Sequence, residues 1–379
     1  MAVPKTMQRY ILTSMDESFQ GLTLQENVPV PAPAPGQVLV KVHALTLNAR
    51  DVQIATNTYP NPAQPKKDVI PVSDASLSVI AIGPPLPDGE PIKWKIGDRV
   101  LPNFTPGFHA GKINHKVVSA PTYGGGRDGF LCEYQVVAAE DLVSIPSYLT
   151  DEEACTLPIA ALTAYNCLYG YEPLLKAGDT VLLLGTGGCS IAGLQMALAA
   201  GCTTICTSSS DSKLARCKEL GAHHLINYRA TPEWEKEVRK ITGGRGVDHV
   251  IEIGGKDSEF IVPTPASTVS YIGSALPKSI ASCKMGGVVS IIGYLSDYND
   301  KRSDSQGDYD VAKSILFAGC TVRGVFVGSR EQFEDMNRLY EVKKIRPPID
   351  KVYSFEQAKE AFHYVAKGSH FNKVVIKMQ

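Results

Sequence analysis

Residues 181–193, VLLLGTGGCSIAG, constrain the fold more than any other segment of the chain. An apolar run of strand length passes through Gly185, Thr186, Gly187 and Gly188 into a run of helical character. Such a junction suits a dinucleotide. The first glycine makes the turn, the second lets backbone approach the pyrophosphate, and the third lets helix pack close to strand. Gly185 and Gly187 fill the first two places, Gly188 gives extra room, and Ser190 stands in the third. Serine adds only a hydroxymethyl group, so a working turn is expected, with the phosphates on the free N–H groups of the helix N-terminus. Cys189 reads as small apolar filler, since no basic neighbour lowers its pKa.

The surroundings agree with this reading. From Thr150 onward, TVLLLG, TTICTSS, HHLINY, VDHVIEIGG and GGVVSIIG alternate with IAGLQMALAAG, SKLARCKELGA and EWEKEVRKITGG. Strands apolar throughout, separated by amphipathic helices, predict a parallel sheet covered on both faces and a doubly wound α/β domain. Residues before about 155 are different: QVLVKVHAL, VIAIG, GDRVL and EYQVVAA are short β-like runs punctuated by Pro and Gly, with an irregular loop at 103–129. Thr150 with Glu153 and Ser354 with Gln357 read as capping boxes, the second opening a helix with the stripe Phe355, Ala358, Phe362 and Val365 and a stop at Gly368. The following run, KVVIKM, is expected to return to the β domain. A length of 379 residues suits two domains. The expected division is 1–155 with 327–379 for the β domain and 156–326 for the dinucleotide domain.

The second strand bears on the nucleotide. NAD enzymes place an acidic residue at its end to hold the ribose 2′-hydroxyl, whereas this chain reads CTSSSDSKLAR and puts Ser208 there. Lys213 and Arg216 lie close by, Ser209 adjoins, and Tyr228 follows in INYR. Hydroxyls with a cation suit a 2′-phosphate, so NADP(H) is the expected cofactor. Asp211, just before a helix, is read as its N-terminal cap.

Composition removes other classes of function. With 38 basic and 39 acidic residues the chain is nearly neutral, which gives no electrostatic footprint for nucleic acid or an anionic membrane. No apolar stretch of signal-peptide or membrane-spanning type is read, so a cytoplasmic location is expected. The nine cysteines are scattered without a CxxC pair and read as reduced. His109 and His115 lack neighbouring cysteines and are read as part of a solvated loop.

The motifs GTGG, SSSDSKLARCKELGAHHLINYR, GGRGVDHVIEIGG, GGVVSIIG, RGVFVGSREQFEDMNR and HFNKVVI, in that order and spacing, resemble the medium-chain dehydrogenase/reductase superfamily, and within it the zinc-free oxidoreductases similar to alcohol dehydrogenases. The resemblance implies a GroES-like β-barrel domain interrupted by a Rossmann domain. It carries further cofactor contacts onto Gly254, Gly293, Tyr294, Phe326, Val327 and Asn372. Matching the zinc-ligand patterns of the superfamily's metal enzymes puts Asn48, Asp74 and Ile159 at the three positions. Isoleucine cannot ligate, so no catalytic metal is expected.

Hydride transfer without a Lewis acid needs donors for an oxygen and a source for the second proton. By resemblance to zinc-free enoyl and quinone reductases, Tyr59 in NARDVQIATNTY is the candidate donor, with packing of its own loop as the alternative. Asn48 is assigned to orienting ribose or substrate, Thr163 to the nicotinamide side, and Asp51 and Asp74 to structural support. SDASLSV departs from the glycines usual after that Asp, and residues 257–272 read as an added Pro/Ser/Thr-rich loop. The expected activity is NADPH-dependent reduction of a carbonyl or an activated alkene, with quinone reduction or metal-free alcohol oxidation as enzymatic alternatives. An NADP-binding scaffold without turnover is the alternative of another class. A small-molecule substrate and a second copy of the chain, in a homodimer, are the expected partners.

Overall fold

A computed structural model describes residues 3–59, 65–87, 91–254, 275–293 and 310–378. The chain forms two compact units, Met1–Leu162 with Val327–Gln379, and Thr163–Phe326.

The first unit carries strands β1 (Thr6–Leu12), β2 (Leu22–Pro29), β3 (Gln37–Thr46), β4 (Asp74–Ile82), β5 (Arg99–Pro102), β6 (Tyr134–Ala138) and β7 (Leu142–Ser144). The second unit contributes β8 (Thr180–Leu184), β9 (Thr203–Ser208), β10 (His224–Asn227), β11 (Val247–Glu252), β12 (Cys283–Ile291) and β13 (Thr321–Gly324). Strands β14 (Ile349–Ser354) and β15 (Lys373–Lys377) belong to the first unit again.

In the first unit the sheet order is β14-β15-β3-β4-β5-β7, with β6 also on β3, and β1 and β2 form a separate antiparallel pair. Strand β3 is central because it is apolar on both faces: Val38, Leu39, Val40, Val42, Ala44 and Leu45 are all buried. Register shifts between Leu39/Val40 and Val42/Ala44 break its pairing with β4, and such bulges bend a strand and increase its twist. Strand β15 returns to this sheet as expected, antiparallel to β3 and parallel to β14. Both capping boxes form. The stripe Phe355, Ala358, Phe362 and Val365 is buried, and Gly368 at φ +64° ends that segment. The loop at 103–129 contains one short helix, His115–Val118.

The second unit is a parallel sheet ordered β10-β9-β8-β11-β12-β13. Strands β8 and β11 are buried at every position, the pattern of a sheet covered on both faces. Helices Gly188–Ala199, Asp211–Glu219 and Trp234–Ile241 follow β8, β9 and β10. The order reverses between β8 and β11, the switch point at which doubly wound sheets bind ligands beyond the strands' carboxyl ends. Ser210, not Asp211, caps the helix after β9, its hydroxyl accepting from Lys213 N at 3.4 Å. Asp211 sits one place inside and accepts from Asn227 Nδ2 at 2.7 Å.

Candidate active site

At the carboxyl end of β8 the glycine turn is built as its residue types require. Gly185 adopts φ +71°, and a Cβ there would lie 2.9 Å from Ile253 Cδ1. Only glycine takes that place without strain. Gly187 precedes the helix Gly188–Ala199 in extended conformation, no side chain caps that helix, and a Cβ on Gly187 would meet nothing within 4 Å. An uncapped helix start with open space above it fits a pyrophosphate. Ser190 is more than tolerated: its buried hydroxyl donates to Leu184 O at 2.6 Å and ties the helix to the strand end. Close helix-to-strand packing is done three residues later by Gly193, where a Cβ would lie 2.6 Å from Ile251 Cδ1 and 3.0 Å from Leu183 Cδ2.

Other expected cofactor residues gather past the same ends of the sheet. Gly185 N donates to Thr207 Oγ1 at 3.4 Å, which links the turn to β9. Ser208 ends β9 and is buried, its hydroxyl accepting from Ser210 N at 3.3 Å and its carbonyl from Tyr228 N at 3.1 Å. The Tyr228 phenol, raised by burial, is hydrogen-bonded to Ser209. Gly254 follows β11 and donates to the buried Glu252 Oε1 at 2.6 Å. Gly293 follows β12, where a Cβ would lie 3.1 Å from Ile253 O, and Phe326 follows β13. Thr163 is buried in helix Leu162–Tyr169. Tyr294 and the segment 257–272 lie outside the described residues.

Within the first unit, the three positions matched to metal ligands do converge. Asn48 Nδ2 donates to Asp74 Oδ2 at 3.0 Å, and Ile159 N donates to the same oxygen at 3.4 Å. Asn48 N also donates to Asp51 Oδ2 at 2.8 Å, which fixes the start of helix Ala49–Ala55. Burial pushes the Asp74 carboxyl up to about 7, against the opposing pull of Lys373 and the Asn48 amide. Structural support of Asp74 is incomplete, because its buried Oδ1 meets no hydrogen-bond donor. One amide, one carboxylate and an aliphatic side chain do not suit zinc, which takes Cys, His, Asp or Glu. Among the described residues no three such groups are placed to hold a metal.

Sequence reasoning missed two cations here. Arg50 is buried, donates to Tyr123 O at 3.0 Å and Thr122 Oγ1 at 3.2 Å, and lies over the rings of Phe104 and Tyr59 at 4.9 and 5.3 Å. The half-buried Tyr59 is thus packed on a guanidinium. Lys373 is the other, a lysine buried at the start of β15 beside Val374, Val375 and Ile376, whereas Lys377 at the strand's other end is exposed. Val327 and Asn372 are buried at positive φ, +41° and +59°, and the Asn372 amide donates to Pro348 O. His109 is not free in its loop: its Nε2 is 3.1 Å from Asp141 Oδ1.

Residues 34–147 match the alcohol dehydrogenase GroES-like domain, and residues 188–261 match the zinc-binding dehydrogenase family. A zinc-type alcohol dehydrogenase-like protein of Schizosaccharomyces pombe is 38% identical over 371 residues, covering 98% of this chain and 99% of its own. A quinone oxidoreductase of Pongo abelii is 26% identical over 92% of this chain and 91% of its own, and a crotonyl-CoA reductase of Streptomyces collinus is 27% identical over 92% and 80%. The crystal structure of a putative alcohol dehydrogenase from Sinorhizobium meliloti superposes with a TM-score of 0.83 at 32% identity, covering 99% of this chain and 100% of that one. The protein is therefore an oxidoreductase of two parts, a GroES-like domain and a Rossmann-type sheet for a nicotinamide cofactor. The chain belongs to the medium-chain dehydrogenase/reductase superfamily.

Proposed function

We propose that the protein is an NADPH-dependent reductase that delivers hydride to a carbonyl or to an activated alkene, without a catalytic metal. The observation that carries the nucleotide reading is the end of β9, where Ser208 stands in place of an acid and Asp211 is engaged by Asn227. Nicotinamide supplies the hydride. The turn at Gly185–Ser190 binds the pyrophosphate through backbone N–H groups. Ser208, Ser209 and Lys213 receive the 2′-phosphate, with Tyr228 buttressing them. Gly254, Gly293 and Phe326 line the remaining strand ends. Tyr59 is assigned to proton donation from its phenol, Asn48 to orientation of the reacting partner and Thr163 to the nicotinamide side, on the strength of the family resemblance.

The related crotonyl-CoA reductase favours an enoyl substrate, and the quinone oxidoreductase supports quinones as the second reading. A homodimer is proposed from the exposed apolar side chains Met285, Leu316 and Phe317, which flank β13, an edge strand among the described residues. No described helix is long and apolar enough to cross a membrane, and a cytoplasmic location is proposed.

The test compares NADPH and NADH binding by calorimetry. Lys213→Ala is expected to weaken NADPH about 10-fold, about 1.4 kcal/mol, and to leave NADH unchanged. Equal affinity of the wild-type protein for both nucleotides would refute the NADP assignment. NADPH oxidation against a panel of enones, quinones and aldehydes tests turnover, and tight NADPH binding with no turnover on any of them supports the scaffold alternative.

A further inference from the structure

Lys373 opens β15 with only 4% of its surface exposed, an uncommon place for an ammonium. Its Nζ donates to Leu47 O at 2.9 Å and to Asn48 Oδ1 at 2.7 Å, both neutral acceptors. Across the Asn48 amide, Nδ2 donates to Asp74 Oδ2 at 3.0 Å. Ammonium, amide and carboxylate thus stand in one row, supplied by β15, the residues after β3, and the start of β4. The amide has one orientation that serves both neighbours, oxygen toward the cation and nitrogen toward the anion. Each buried charge alone is costly, and each is tolerated as the counter-charge of the other. Asp74 keeps an unpartnered oxygen in this interior, so hydrogen bonds alone do not account for its burial.

We infer that Lys373 is a fixed internal cation that takes the place of a metal at this position, balancing the buried Asp74, locking the Asn48 amide, and denying the position to a divalent ion. A divalent ion there would meet a like charge in an interior that screens it poorly. It would also find the Asn48 oxygen already engaged. Lys373 is a positioning residue: it acts through Asn48.

Two measurements that use no turnover test this, so their failure is separable from failure of the NADPH reading. Wild-type protein incubated with excess zinc sulfate and desalted is expected to carry far less than one zinc per chain by plasma mass spectrometry. One zinc per chain that disappears in Asp74→Asn would overturn the inference. At pH 9, where the wild-type Asp74 carboxyl is ionised, Lys373→Met strands that charge and is expected to lower Tm by roughly 5–10 °C. Adding Asp74→Asn to Lys373→Met should recover at least half of that loss, because the stranded charge is gone. A double variant as unstable as the single one refutes the pairing. Should Lys373→Met not accumulate folded, the double variant decides: a folded protein supports the pairing and an unfolded one refutes it.

Discussion

The glycine turn after β8 and the Asn48–Asp74–Lys373 row both place polar groups at strand ends, yet their polarity is disposed of differently. At the turn, the helix Gly188–Ala199 begins without a side-chain cap and faces open space at Gly187. In the row, ammonium, amide and carboxylate answer one another inside the protein, and a guanidinium nearby is stacked on two rings. The first arrangement leaves room for an anion from outside. The second supplies its own cation. Polar residue content therefore does not mark a binding site by itself; what matters is whether the donors have been answered within the chain.

That contrast can be broken by substitution. The largest effect is expected from Arg50→Met, which removes the bonds to Tyr123 O and Thr122 and takes the guanidinium away from Asp51. A loss of about 3–5 kcal/mol in denaturant unfolding of the first unit is expected, with NADPH affinity unchanged within about twofold. A tenfold loss of NADPH affinity at little cost in stability would place Arg50 in a ligand site and collapse the distinction.

Gly185→Val forces a branched side chain into φ +71° against Ile253. Strain of about 1–3 kcal/mol is expected, together with at least a ~100-fold loss of NADPH affinity by calorimetry. Normal binding by this variant would mean that the turn holds no phosphate.

The second unit also has an internally answered charge, which sharpens the comparison. Asp248 accepts from Thr180 N at 2.8 Å and from Arg245 at 2.7 and 3.0 Å, and is paired with Lys284. These partners outweigh burial and hold its carboxyl well below the usual range. A depressed pKa contributes stability above the unfolded value, near ~3.9, and loses it as pH falls toward the folded one. Asp248→Asn should cost about 2 kcal/mol at neutral pH, and the gap to wild type should narrow as thermal unfolding is followed below about pH 4. A gap independent of pH would show that shape rather than charge is being lost. The smallest effect is expected from Ser190→Ala, about 1 kcal/mol for the lost bond to Leu184 O, seen as a lower Tm with NADPH binding retained.

Much of the second unit was legible because parallel strands and their helices carry period and length in the sequence. β8, β9, β10 and β11 stand where TVLLLG, TTICTSS, HHLINY and VDHVIEIGG suggest. The caps at Thr150 and Ser354 were legible for the same local reason, since three residues of spacing define them. Ser210 was overlooked as a cap because the neighbouring Asp211 is an equally good cap by residue type, and only the backbone decides between them. The pairing of β1 with β2 was not read at all, as β2 has mixed burial and little alternation. The buried row was legible only in part: Asn48 and Asp74 were found by pattern. Their cation lies 325 residues from Asn48 along the chain, and no local periodicity reports a contact across such a separation.

Strand β15 lies between β14 and β3, and Thr46 hydroxyl meets Val374 O across 328 residues of sequence. On the ribosome, then, β3 and β4 emerge long before their neighbour exists. At ~5–20 residues per second, β3 waits roughly 15 to 65 s for β15. The whole sheet β8–β13 is contiguous in sequence and is complete within that interval. Throughout it Asp74 has no ammonium to pair with, and β3 has no β15 to bond to. The order of synthesis thus delivers the partner of both β3 and Asn48 last.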